Sequence, residues 1–420
     1  MSGRLQSLAL GMVSALFVLA SGCSTFHRAP APNIEDLQRL YDNHEWFKLN
    51  AAVRRGPVPL FFRAAMECAL NQTDACERDT SDVIRTNPGT NVEYEAHSLL
   101  ESLYLRQGKY QHALKETESI LILRPNDAAA QNSSALLKAA SASPEQQIAH
   151  FAPANVPWAD PGKSLTIPIS VDGKPVKYPF DTGANLSVIS DGDAKRLGLV
   201  VHDANLNVAG SAGQQGRFRI ASAGHLQIGD LDVENVAFLV FPAGQPPFDA
   251  SPPLEQGLIG LPPLLAAKQL SWSPSAGLSL GAGHQENENI PPNIVFDGAN
   301  IIASAVFQHA TVMFLVDSGS EWTFMYPRFA KDHDAYLNAH GTKTKHKFMG
   351  FGGEVNADVL RLPELSFVIG RNTDRIPNVN VLLQYTDQNS KLFDGTIGQD
   401  TMLGPRSFDI DFDTMILTLR

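Results

Sequence analysis

FDTGANLSVIS at 180–190 and VDSGSEWTF at 316–324 are the two stretches on which the fold of this chain turns. Taken singly, Asp181-Thr182-Gly183 or Asp317-Ser318-Gly319 reads as an ordinary turn, with Asp accepting local backbone bonds and Gly at a left-handed position. Their shared surroundings say more. Each triplet ends an apolar run, and each is followed at nearly equal distance by Ile-Gly. Gly260, in GLIGLPPLL at 257–265, lies 79 residues after Asp181 (260 − 181), and Gly398, in GTIGQDTML at 395–403, lies 81 after Asp317 (398 − 317).

Further landmarks repeat in the same order. Hairpin-like turns at Val171-Asp172-Gly173 and Phe307-Gln308-His309-Ala310 sit between strand-like runs, so each feeds a strand that ends at its aspartate. A Gly-rich segment follows each triplet, Gly210 to Gly216 in one copy and Gly350 to Gly353 in the other. Apolar strands, Leu278-Ser279-Leu280 and Met415 to Leu419, close the copies. A unit of about 130 residues is far longer than a solenoid repeat, so it reads as a duplicated lobe.

Over about 165–420 these motifs resemble the retropepsin-like aspartic proteases of bacteria, in a tandem form with both lobes on one chain as in pepsins. The resemblance implies an all-β, two-lobed domain. Its two triplets meet at a pseudo-twofold axis, Asp181 and Asp317 form the catalytic pair around a shared water, and Ile259-Gly260 and Ile397-Gly398 pack behind the two loops. No Tyr lies between Val200 and Asp230, where a pepsin-type flap carries one, and the lobes are shorter than pepsin lobes. The chain is therefore closer to two fused retroviral-type subunits. Gly213 and Gly216, or Gly350, Gly352 and Gly353, mark the alternative flaps.

The chemistry accounts for the residue types. Hydrolysis by this route needs one carboxylate as general base on water and one carboxylic acid to polarise the scissile carbonyl. Two carboxyls a few ångströms apart take these opposite states, because both cannot ionise cheaply and one proton is shared. Gly183 and Gly319 let the backbone turn tightly and approach its symmetry mate without a Cβ. The hydroxyls of Thr182 and Ser318 can bond across to the other lobe. Ala184 cannot donate to a carboxylate whereas the hydroxyl of Ser320 can, which predicts that Asp317 ionises more readily and Asp181 holds the shared proton. Retention of both aspartates favours an active endopeptidase over the alternative, a silent peptide-binding or scaffolding protein using the same cleft.

Ahead of the lobes, Arg4 precedes an apolar stretch from Leu8 to Ala20 that stops at Ala20-Ser21-Gly22-Cys23 and looks like a bacterial lipoprotein signal. In that class Cys23 becomes the lipidated first residue, and Ser24 is not the Asp that often retains such proteins at the inner membrane. The expectation is a periplasm-facing outer-membrane lipoprotein in contact with the bilayer through its N-terminus. Cys68 and Cys76 can then pair in an oxidising compartment, the alternative being two free buried thiols. Residues 94–127 resemble one tetratricopeptide repeat through Tyr104, Gly108, Tyr110, Ala113 and Pro125. A single repeat cannot bury its own face, so three or more stacked helices are expected, serving either a protein partner or as a spacer.

The expected organisation is multidomain: signal 1–22, tether 23–34, all-α helical-repeat domain 35–138, linker 139–164, first lobe 165–284, inter-lobe linker 285–299 and second lobe 300–420. A composition of 43% hydrophobic and 18% charged residues supports several cores, and a net charge of −11 without a basic stripe argues against nucleic acid. Gly277-Leu278-Ser279-Leu280-Gly281 matches the G-x-S-x-G nucleophile elbow, but a linker follows where that motif requires a helix, so Ser279 reads as a strand residue. Twelve histidines show no ligand spacing, and no metal or cofactor is indicated.

Overall fold

A computed structural model describes residues 33–419 apart from 162–163, 210–214, 243–247, 249–250, 282–289, 351–352, 387 and 405–406. Cys23 and the signal lie outside the described residues. Helices come first: α1 (Ile34–Asp42), α2 (Trp46–Val53), α3 (Leu60–Ala69), α4 (Thr73–Thr86), α5 (Asn91–Arg106), α6 (Tyr110–Leu123) and α7 (Ala128–Ala140). Side-chain caps set several starts, with Asn33, Thr90 and Asp127 accepting from the backbone N–H groups of Glu35, Glu93 and Ala130. A Cys68–Cys76 disulfide ties the end of α3 to the first turn of α4. None of the described helices is long and apolar enough to cross a membrane.

The rest is β-rich and two-lobed. In the first lobe an eight-stranded sheet runs in the order Lys174–Pro179, Thr166–Val171, Gln215–Ile228, Leu231–Phe241, Ser187–Ser190, Gly257–Leu258. Gln147–Phe151 adds to Leu231–Phe241, and Val200–Ala209 adds to Gln215–Ile228. The second lobe's eight-stranded sheet runs Ile294–Asp297, Asn300–Phe307, Ala310–Val316, Gly395–Ile397, Phe324–Met325, Asn372–Leu382, Gly353–Ile369, Thr342–Gly350. Both expected hairpin turns form, with Asp172-Gly173 and Gln308-His309 at positive φ as tight turns require. Each lobe therefore delivers a hairpin strand straight into its aspartate loop.

The two closing strands do not stay within their own lobes. Gln269–Ser273 and Gly277–Leu280 join Phe408–Asp411 and Ile416–Leu419 in one five-stranded sheet, with Ala154–Val156 on its edge. Leu270 pairs with Ile410 and Trp272 with Phe408, whose rings stack at 4.8 Å, so apolar side chains from both halves bury one common face. Ser279 is an ordinary residue of this sheet, its hydroxyl donating to Asn155 Oδ1 at 2.9 Å.

The expected linkers contain structure. Within 139–164, Gln147–Phe151 and Ala154–Val156 are paired strands. Within 285–299, Ile294–Asp297 is a buried strand of the second lobe, while 285–289 lie outside the described residues. Proline-rich composition marked these segments as loops, but short β-edge strands tolerate Pro at their ends.

Candidate active site

The two aspartate loops face each other across the lobe boundary. Each hangs from a hairpin strand and is closed behind by an Ile-Gly segment: Asp181 N donates to Ile259 O (2.8 Å) and Asp317 N to Ile397 O (3.1 Å). Farther on, Leu261 N reaches Ala184 O (2.9 Å) and Gln399 N reaches Ser320 O (2.8 Å). Glycine is required at both backing positions. A Cβ at Gly260 would lie 2.5 Å from the Leu186 carbonyl carbon, and one at Gly398 2.5 Å from that of Trp322.

Four hydrogen bonds lock the loops together. Thr182 Oγ1 donates to Val316 O (2.9 Å) and accepts from Ser318 N (3.0 Å), while Ser318 Oγ donates to Phe180 O (3.0 Å) and accepts from Thr182 N (2.9 Å). Both side chains are buried, so these bonds form without competition from water. The aspartates are thereby held side by side, and their carboxyls hydrogen-bond each other.

Proximity and burial shape the electrostatics. Burial pushes the Asp181 carboxyl well above the usual range, and the Asp317 charge beside it adds to the rise. Asp317 is also raised by burial, but a hydrogen bond from Asp181 and backbone N–H groups of Gly319 and Ser320 hold it back. Gly183 N bonds Asp181 Oδ1 at 2.9 Å and Gly319 N also favours its charge, while Asp317 Oδ1 receives Gly319 N at 2.9 Å and Ser320 N at 3.1 Å. Asp181 is thus raised further than Asp317, which favours the shared proton on Asp181 and the charge on Asp317.

That asymmetry agrees with the sequence-based expectation, but its expected cause is wrong. Ser320 Oγ donates to Trp322 O at 2.9 Å instead of to Asp317. It is the Ser320 backbone N–H, which the residue type does not reveal, that reaches the carboxylate. Ala184 N, its counterpart, bonds only the Asp181 carbonyl at 3.3 Å.

Sequence reasoning missed Ser187 and Thr323. Ser187 Oγ accepts from Gly260 N (3.1 Å) and Thr323 Oγ1 from Gly398 N (2.9 Å), fixing each backing segment to its loop. The signal was present, since each hydroxyl lies six residues past its aspartate (187 − 181 and 323 − 317). Among the alternative flaps, Gly213 and Gly352 lie outside the described residues. Gly216, Gly350 and Gly353 stand in strands of two long hairpins, Val200–Ala209 with Gln215–Ile228 and Thr342–Gly350 with Gly353–Ile369. Each lobe thus carries a hairpin where the Gly-rich segment was read. No group of His, Cys, Asp and Glu among the described residues is disposed to hold a metal ion.

Residues 167–262 and 303–401 match the aspartyl protease family model. Each matched segment begins ahead of its triplet and ends just past its Ile-Gly, so the two matches frame the two loops described above. The match supports protease activity at the level of the family. No curated protein matches the chain.

Proposed function

We propose that the protein is an aspartic endopeptidase that hydrolyses protein or peptide substrates in the cell envelope. The observation that carries this reading is the juxtaposition of two carboxyls on loops locked together by the Thr182 and Ser318 hydrogen bonds, with both carboxyls raised by burial. Ionised Asp317 takes a proton from water as its oxygen bonds the scissile carbonyl carbon, while the Asp181 proton stabilises the developing oxyanion. Collapse of the tetrahedral adduct breaks the C–N bond and the amine leaves with a proton from the pair.

The same reading places Cys23 as the lipidated first residue, the body facing the periplasm from the outer membrane, and the helices as a tetratricopeptide-like region. What supports it is the Ala20-Ser21-Gly22-Cys23 sequence and the pattern at 94–127. The test of activity is direct. Asp181→Asn and Asp317→Asn, each purified and confirmed folded by circular dichroism, should lower peptide hydrolysis by about 10²–10⁴-fold. Near-normal turnover by either variant overturns the mechanism.

A further inference from the structure

The two aspartate loops are alike in backbone and unlike in what they offer to solvent. Four and five residues past its aspartate, the first loop carries Asn185 and Leu186 (185 − 181, 186 − 181), and the second carries Glu321 and Trp322 (321 − 317, 322 − 317). Leu186 is buried in the apolar cluster that the first lobe shares with α6 and α7, whereas Trp322 is 45% exposed. A lone exposed aromatic ring is ordinary on a protein surface. This one stands on an aspartate loop, next to an exposed carboxylate.

The backbone here is held from behind. Ser320 O and Glu321 O accept from Gln399 N at 2.8 Å and Asp400 N at 3.3 Å, and a Cβ at Gly398 would lie 2.5 Å from the Trp322 carbonyl carbon. With that side filled by the backing segment, the two exposed side chains leave the loop toward solvent. Glu321 is close enough to His346 for its charge to act on the imidazole, and His346 belongs to the hairpin of Thr342–Gly350 with Gly353–Ile369. Loop and hairpin therefore border one gap.

Glu321 has no ion-pair partner among the described residues, and the polar groups around it are engaged elsewhere. Gln399 Nε2 donates to Ser318 O at 2.7 Å, Asp400 Oδ1 accepts from Thr323 Oγ1 at 2.6 Å, and Arg361 Nε donates to Asn380 Oδ1 at 3.3 Å. Burial, and then the Arg361 charge, hold His346 below its usual pKa, so at neutral pH it brings no positive charge. Lys343, Lys345 and Lys347 alternate with His346 along the strand and so lie on the hairpin's other face. An open carboxylate beside an indole ring suits a cation carried on a long apolar stem. An acidic side chain would be repelled there, and an aliphatic one would leave the carboxylate unpaired.

We propose that Glu321 and Trp322 form the specificity site of the second-lobe half of the cleft, receiving a lysine or arginine side chain of the substrate with its charge on Glu321 and its stem on the Trp322 ring. Its consequence, a cut placed at a fixed distance from a basic residue, rests on the endopeptidase reading. The binding preference itself belongs to the loop whether or not the dyad turns over. The first-lobe half makes no such selection by charge, because its matching residues are neutral and Leu186 is covered.

A degenerate peptide library tests binding and cleavage separately. Cut by the full-length protein, it should show Lys or Arg enriched at one position on one side of the cleaved bond. Captured on full-length Asp181→Asn protein, it should show the same enrichment without cleavage. Glu321→Gln should weaken a selected Lys peptide about fivefold or more, in kcat/KM and in capture, and leave its Met counterpart within about twofold. Glu321→Lys should turn the preference toward acidic side chains, and Trp322→Leu should weaken the Lys peptide several-fold. Both positions are exposed, so circular dichroism should find all three variants folded. Basic peptides captured but never cut would overturn the endopeptidase reading and leave this site standing. The proposal is overturned if the library is not captured, if it is captured or cut without basic enrichment, or if the Lys-to-Met ratio is unchanged in Glu321→Gln. It is equally overturned by an apolar preference that Trp322→Leu abolishes and Glu321→Gln leaves intact, which would mark a plain apolar pocket.

Discussion

Thr182→Val tests the lobe junction with almost no change in shape. The substitution replaces a hydroxyl by a methyl, so packing is kept while two bonds disappear, the donation to Val316 O at 2.9 Å and the acceptance from Ser318 N at 3.0 Å. Val316 and Ser318 are each 0% exposed, so water cannot replace the lost partner. Each orphaned backbone group costs about 1–3 kcal/mol, giving a loss of about 2–6 kcal/mol. That is large beside the roughly 5–15 kcal/mol of a typical domain. The assay is urea unfolding followed by tryptophan fluorescence, since Trp272 sits in the sheet shared by both lobes, together with kcat on a peptide substrate. We expect a lower midpoint and at least a tenfold lower kcat, because the two loops lose their common register. Ser318→Ala should behave alike, and the double variant should lose less than the sum, since loops already parted by one change have less left to lose at the other. A midpoint and kcat both unchanged in Thr182→Val would refute the claim that these bonds set the dyad geometry.

Other outcomes follow from the same geometry. Gly183→Ala should abolish hydrolysis, because the added Cβ would lie 2.7 Å from Asp317 Cγ and must push the carboxyls apart; retained activity on a folded variant would count against the described approach. Activity against pH should be bell-shaped, rising as Asp317 ionises and falling as raised Asp181 loses the shared proton, with both limbs above those of free aspartates. Ser320→Ala should leave the acidic limb in place, since the backbone N–H and not the hydroxyl reaches Asp317; an upward shift would reinstate the hydroxyl. Cys68→Ser with Cys76→Ser should destabilise the helical region by about 2.5 kcal/mol for so short a loop, read as a lower melting midpoint of the far-ultraviolet helix signal.

Most of the site was legible because its chemistry is local in sequence. A triplet, its preceding strand and its Ile-Gly backing recur twice in order, and duplication turns weak motifs into a strong one. What escaped was non-local or resided in the backbone. Ser320 shows the second case: its side-chain type suggested a hydroxyl donor, while the structure uses its N–H, which every residue but proline has. The shared five-stranded sheet shows the first, since Leu278 and Leu417 each read as the last strand of a lobe and nothing in either segment says that the two hairpins lie side by side. Arg106 could not be found at all by pattern, because an arginine near a helix end reads as a solvated, dipole-favouring residue until its burial is seen.

The helices are bound to the protease region by more than the chain that joins them. Tyr110, Leu137 and Ala140 share one apolar cluster with Leu186, Val188, Ile220 and Phe241 of the first lobe, and Asn71 Nδ2 donates to Phe412 O at 3.2 Å. Gln146 Nε2 bonds Pro262 O at 3.1 Å, two residues beyond the Gly260 that backs Asp181. A separate spacer would need none of this, because a tethered domain keeps its own core and offers a polar surface to its neighbour. Here the apolar faces of α6 and α7 are completed by residues that flank the first aspartate loop, so loosening the helices must also expose Leu186 and Val188 beside Ala184. On the side of the second lobe, Arg106 joins α3 and α5 to the turn at Gly298.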